Sequence, residues 1–405
     1  MIRTIRVDGF KSISSMNIEL GRVNCFIGAN GVGKSNILEA IGVLGAAANG
    51  VVDDEALLRR GVRPGLPKLY KTSFKSVRTP AHIGLTAEGE RHELYRVSLL
   101  NPLKAPEPKW SFKTELLSVG ADEIISKGVR NRKNLNPEAG LAALRLVDLD
   151  PDNAAAQLMS RLQNYAIYSP NTPTLRGMVS DPQSRIPVGL SGGQLAEGFA
   201  DLRHALSAAR DKNGTEWEER FSDLLDLMDW VGNIEATSQG ASLLSPSVAR
   251  TREMLKFTDR FMQQSRNELT AYDASEGALY VLFCALLCLS PKAPLFFSID
   301  NIDQALNPRL AMRLTQKLSG WLRPLNPSVS NGPMKQLLFT THNPAVLDGL
   351  NLGDPEIRLF AVERNSNGHT SVQRIQMTSE LAERNKEFPL SRLWLMGHLG
   401  AVPNV

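Results

Sequence analysis

A short apolar run, Val23–Ile27, passes directly into Gly28-Ala-Asn-Gly-Val-Gly-Lys-Ser35, and the stretch behind it, 36–48, has a helical pattern. No other feature constrains the chain as tightly. The pattern G-x-x-x-x-G-K-S, set between a strand and a helix, is a phosphate loop. Gly28, Gly31 and Gly33 allow the backbone to curl until its N–H groups surround phosphate oxygens. The helix behind the loop aims the positive end of its dipole at the same charge. Lys34 is placed to reach the β- and γ-phosphates and Ser35 to ligate Mg²⁺. A nucleoside triphosphate, ATP with Mg²⁺, is the expected ligand, and an α/β fold the expected frame.

Such a loop needs a carboxylate at the end of a second buried strand to complete the metal site. Pro294-Leu-Phe-Phe-Ser-Ile-Asp300 supplies one, so Asp300 is the candidate Walker B aspartate. Further on, Gln336-Leu-Leu-Phe-Thr-Thr-His342-Asn-Pro344 is another buried strand, this one ending in a histidine. Beside two nucleotide motifs, His342 reads as a sensor of the γ-phosphate rather than a core histidine.

Composition narrows the class. Lys and Arg number 46 against 42 Asp and Glu, a net charge of +4 that requires no nucleic-acid partner. The hydrophobic fraction of 42% belongs to a folded chain. Three cysteines exclude a disulfide framework and point to a reducing, cytoplasmic setting. The longest apolar run, 278–289, falls well short of the roughly 20 residues that cross a bilayer. No membrane partner is expected.

Phe10-Lys-Ser12, the string GANGVGKSN ending at Asn36, a serine–glycine turn before Asp300 and the TTHNP loop together resemble the ABC-type ATPases of the RecF, SMC and OLD group. The strands expected across 357–375, with a turn from Glu363 to His369, are similar to the closing strands of OLD-like members. The resemblance implies an ABC-type P-loop fold: a mixed central sheet, an antiparallel β lobe and an inserted helical arm. It adds Lys11, Asn30 and Asn36 to the nucleotide-binding candidates. It also implies a signature segment on the helix just upstream of Walker B, reaching the γ-phosphate held by a partner copy. Leu190-Ser-Gly-Gly-Gln194 has the signature's letters but lies far upstream of Asp300, where it resembles the glycine turn opening a helix of the lateral domain. Asp273-Ala-Ser-Glu-Gly277 opens the long apolar helix before Asp300, so Ser275 and Gly277 are the signature candidates.

One position departs from the group. Its Walker B reads Asp-Glu-Pro, the Glu acting as general base, whereas this chain reads Asp300-Asn301-Ile302-Asp303. An amide cannot take a proton from water, which removes a contribution of about 10²–10⁴-fold. Slow hydrolysis is expected unless Asp303 or His342 substitutes.

Four segments are expected: 1–135, the N-terminal ATPase half with the β lobe; 136–270, a mainly helical lateral insertion with loops at 169–190 and 231–246; 271–378, the C-terminal half; and 379–405, an apolar tail that either packs back or docks a partner. Two basic clusters stand out. Arg59, Arg60, Arg63, Lys68, Lys71, Lys75 and Arg78 lie in a span without acid, with Tyr70 and Phe74 interleaved. Lys127, Arg130, Arg132 and Lys133 form the second. Either could dock protein or contact DNA.

The resemblance to stand-alone OLD-like ATPases implies an ATP-held dimer, possibly of higher order, that scaffolds or restrains a separate nuclease of HNH or Toprim type in bacterial antiviral defence. The alternative is a RecF-like DNA-binding ATPase of repair, using the basic span 59–78. A transporter subunit does not fit the FKS and THNP features.

Overall fold

The computed structural model describes residues 1–75, 78–127, 136–238, 243–244, 253–323 and 334–402, and for 127 and 206–217 the backbone alone. Strands β1 (Ile2–Phe10) and β2 (Ile13–Glu19) form a hairpin whose alternating Ile5, Val7, Met16 and Ile18 are buried. Strand β3 (Val23–Ile27) leads through the phosphate loop into α1 (Lys34–Ala48). Helices α2 (Asp54–Leu58) and α3 (Pro67–Tyr70) follow, then strands β4 (His82–Gly89), β5 (Glu93–Leu100), β6 (Ser111–Val119) and β7 (Asp122–Lys127). These complete an antiparallel sheet ordered β2-β1-β4-β5-β6-β7.

Helices α4 (Leu141–Arg145) and α5 (Ala154–Asn164) precede β8 (Ile167–Tyr168) and α6 (Thr172–Leu175). Helix α7 (Leu195–Leu227) runs into β9 (Val231–Thr237), β10 (Met254–Asp259) and β11 (Glu268–Thr270), a small antiparallel sheet. Helix α8 (Glu276–Leu289), β12 (Phe296–Ile299), α9 (Pro308–Trp321) and β13 (Gln336–Thr340) lead to the hairpin β14 (Ile357–Arg364) and β15 (Thr370–Ile375). The central sheet is ordered β15-β14-β3-β13-β12-β8 and is parallel from β14 to β8. Its β3 and β13 are buried along their whole length, as parallel strands covered on both faces require. Helix α1 touches β1 and β4 of one sheet and β13 and β8 of the other, which is why it is buried along nearly its whole length.

The α/β frame, the antiparallel lobe and the mixed central sheet are as expected. The segment 136–270 is less helical than its sequence suggested. Helix α5 packs on α1, β8 is the edge strand of the central sheet, and 231–237, read as loop, is β9. Helices α6 and α7 pack on α8. Strand β9 escaped notice because Val231 and Ile234 are its only large buried apolar side chains among Gly, Asn and Glu. The tail packs back: in α10 (Ser379–Glu387) and α11 (Leu390–Leu395), Leu381, Leu393 and Trp394 join the core, and Trp394 Nε1 donates to Ala401 O at 3.0 Å. Among the described residues no helix is long and apolar enough to cross a membrane.

Candidate functional site

Strands β3, β12 and β13 lie side by side and end together, which brings the phosphate loop, Asp300 and His342 to one edge of the sheet, where open α/β sheets hold ligands. Gly28 and Gly33 sit at φ +148° and +109°, and a Cβ at either would come within 2.2 Å of Val362 O or Thr370 Oγ1. Only glycine fits both the dihedrals and the space. Asn30 and Gly31 form the exposed tip, with Gly31 O receiving Arg364 Nε at 2.9 Å.

Lys34 Nζ donates to Gly28 O (2.7 Å) and Ala29 O (2.9 Å) and lies 3.2 Å from His342 Nδ1. Burial lowers its pKa to about 8 against the pull of Asp300 and Asp303. Burial, then the Lys34 charge, depresses His342 as well. A charged Lys34 assigns its proton to the contact, so Nδ1 accepts and the imidazole hydrogen resides on Nε2.

Ser35 Oγ donates to Asp300 Oδ2 at 2.9 Å. A hydroxyl facing a carboxylate is the hard-oxygen pair that Mg²⁺ takes alongside phosphate oxygens and water. Both side chains are part-buried and their polar atoms meet at the mouth of the glycine cradle, so the chain's residues fit ATP·Mg²⁺. Thr340, which the sequence reading passed over, organises this corner. Its Oγ1 donates to Asp300 Oδ1 (2.5 Å) and accepts from Asn301 N (2.8 Å). Tyr280 was missed too: from α8 its hydroxyl donates to Asn301 O at 2.9 Å. A polar residue at the end of the His342 strand was the available signal for Thr340, and nothing local marked Tyr280. Asn301 stands at φ +53°, a left-handed conformation that asparagine tolerates.

Lys11 and Asn36 are placed differently. Asn36 Nδ2 donates to Ser12 Oγ at 2.7 Å, stitching the FKS turn onto α1. Lys11 Nζ meets Glu39 Oε2 at 2.5 Å and Arg63 Nε meets Oε1 at 2.6 Å. Burial alone would raise the Glu39 pKa, but Arg63 and Lys11 together bring it below the usual value. The geometry accounts for Lys11 as an internal ion-pair partner.

Ser275 and Gly277 are not joined to the phosphate loop by any contact among the described residues. They occupy the N-terminus of α8, with Ser275 exposed beside a cleft of about 200 Å³ lined by Trp230, Asn307, Arg309 and Arg313. The 190–194 turn is filled from within. Asp181 Oδ2 accepts from Ser191 N (2.8 Å) and Gly193 N (3.1 Å).

The first basic span is largely consumed by the fold. Arg60 is buried and donates to Ala56 O and Gln163 O, Lys71 is buried against Asn101 O, Arg63 holds Glu39, and Arg59 pairs with Glu55. Tyr70 is buried and Phe74 stacks on His369, with centroids 4.3 Å apart. Lys68, Lys75 and Arg78 remain exposed. Arg60 and Lys71 are thus withdrawn from the expected DNA surface over 59–78, because they serve carbonyls inside the fold, while Arg59 and Arg63 stay exposed and paired with Glu55 and Glu39. The second cluster lies outside the described side chains.

The fold and this site define a P-loop ATPase of the ABC type. Residues 1–59 match a family described as "AAA ATPase domain", and residues 196–348 one described as "AAA domain, putative AbiEii toxin, Type IV TA system". The chain is 29% identical over 152 residues to the DNA replication and repair protein RecF of Paenarthrobacter aurescens (strain TC1), covering 36% of this chain and 35% of that one. It thus spans about a third of that relative's length. Among solved structures, the SmcHead bound to the C-winged helix domain of ScpA is similar in fold, with a TM-score of 0.52 at 12% identity over 93% of this chain and 98% of that one. The SMC head domain from Thermotoga maritima aligns at a TM-score of 0.45, with 14% identity over 93% and 99% of the two chains. The chain is thus similar in fold to an SMC head and, over part of its length, in sequence to RecF.

Proposed function

We propose that this ATPase is a slow ATP-dependent switch in the cytoplasm, which dimerises around ATP and regulates a separate effector, a nuclease, in antiviral defence. The observation that carries the reading is the pairing of a complete phosphate and metal cradle with Asn301 where a general base is expected. Binding is fully furnished while the usual proton acceptor is an amide, and a nucleotide held longer than it is cleaved suits a latch. The exposed Ser275 end of α8 supports the dimer. It offers the positive end of a helix dipole to the γ-phosphate bound by a second copy. The family description naming AbiEii supports a defence setting.

Lys34, Ser35 and Asp300 would hold the triphosphate and Mg²⁺, which when bound neutralises developing phosphate charge. His342, braced by Lys34, would report whether a γ-phosphate is present. Because two copies share two nucleotides, occupancy would couple to assembly by mass action.

The test is the mass of the chain, purified with the product of its neighbouring gene, with and without ATP·Mg²⁺. An ATP-dependent rise in mass, lost in Lys34→Ala and Ser275→Arg, is expected. An unchanged mass overturns the switch. The match to RecF favours a second reading, a DNA-binding ATPase of repair. Turnover stimulated by DNA, with affinity falling steeply as salt rises, would select it.

A further inference from the structure

The turn that follows Asp300 is held in an unusual way. Asn301 is pinned through its main chain, its N–H on Thr340 Oγ1 and its carbonyl receiving both Tyr280 OH (2.9 Å) and Gln304 N (3.1 Å). Ile302 N donates to Thr340 O at 3.0 Å, and the Ile302 side chain is buried in the core. Asp303 comes next, its carbonyl closing the turn on Leu306 N at 3.0 Å. Its Oδ1 is buried and accepts no hydrogen bond among the described residues. The charge of this carboxylate also favours the charged forms of Lys34 and His342 and opposes ionisation of Cys25.

A bare, buried carboxylate oxygen costs about 1–3 kcal/mol or more, and native structures keep such groups where something other than folding uses them. The other groups at this corner are occupied. Asp300 accepts from Ser35 and Thr340. His342 Nδ1 is engaged with Lys34 at 3.2 Å. Asn301 has no basic atom in its side chain. One acceptor is left.

We propose that Asp303, through Oδ1, is the catalytic carboxylate that orients and deprotonates the attacking water in place of the residue at 301. The water oxygen bonds to the γ-phosphorus, and the bond from that phosphorus to the β-bridging oxygen breaks. ADP leaves with the bonding pair, and the water proton passes to Asp303 Oδ1 and then to the released phosphate. The inference rests on the reading that ATP is the bound nucleotide.

Three measurements on the full chain test it: single-turnover release of phosphate from ATP·Mg²⁺, ATP affinity, and the melting temperature without nucleotide or metal. Asp303→Asn should lower turnover by about 10²-fold or more, to the level of Lys34→Ala. It should change ATP affinity by less than about three-fold. Its melting temperature should hold or rise, because a bare buried charge has been removed. Adding Asn301→Glu to Asp303→Asn should restore turnover. Turnover of Asp303→Asn within about two-fold of the parent overturns the inference, as does a parent no faster than Lys34→Ala. A fall in melting temperature with turnover preserved would make Asp303 structural. If the parent does not bind ATP, the functional reading fails with it; if it binds and Asp303→Asn is silent, only this inference fails.

Discussion

Asn301 illustrates how one residue is set by two demands. Its left-handed backbone suits asparagine, and its main chain links Thr340 to Tyr280. Asn301→Glu should therefore raise turnover, by up to about 10²-fold, at a stability cost of about 1–2 kcal/mol for the left-handed conformation. Kinetics and thermal melts on the same preparation check both halves; a silent substitution would mean that another group already serves. Among the described residues Lys34 hydrogen-bonds loop carbonyls and His342. Lys34→Ala should abolish ATP binding while leaving the melting temperature nearly unchanged, and retained binding would refute the phosphate-loop assignment. Thr340→Val strands Asn301 N–H and one lone pair of Asp300. Denaturant unfolding should show a loss of about 1–3 kcal/mol.

At the scale of elements, α8 is the member whose two ends do different things. Its N-terminus presents Ser275. Its C-terminus is capped by the buried Lys335, whose Nζ donates to Leu287 O (3.2 Å), Cys288 O (2.8 Å) and Ser290 O (2.6 Å). Burial lowers the Lys335 pKa from 10.5 to about 8. Between those values the unfolded chain binds more protons than the folded one, so this lysine makes stability rise with pH there, by up to about 1.4 kcal/mol per unit. Lys335→Met should remove that component and, at neutral pH, lose the three carbonyl contacts. Unfolding free energies measured from pH 7 to 10.5 on both chains isolate it. The basic span behaves as an element too. Arg60→Ala should lower the melting temperature and leave any DNA affinity untouched, because its guanidinium serves Ala56 O and Gln163 O inside the fold.

For the whole molecule, two sheets share one buried helix, and the C-terminal tail closes the larger core. Trp394 is fully buried there, so Trp394→Ala should cost about 3–5 kcal/mol, visible as a large fall in denaturation midpoint. The sequence by itself determined the phosphate loop, the strands carrying Asp300 and His342, the hairpin β1–β2 and the class of fold. Each depends on a short local pattern: glycines at fixed spacing, an apolar run ending in a carboxylate, alternation with period two. Tertiary structure alone decided what those residues touch. It placed β8 in the central sheet, turned β9 from loop to strand, spent Arg60, Arg63 and Lys71 on internal acceptors, and brought Thr340 and Tyr280 to Asn301 from 39 and 21 residues away. Those outcomes depend on which carbonyls and carboxylates the fold buries, and a buried polar group must find its partner wherever the chain happens to pass.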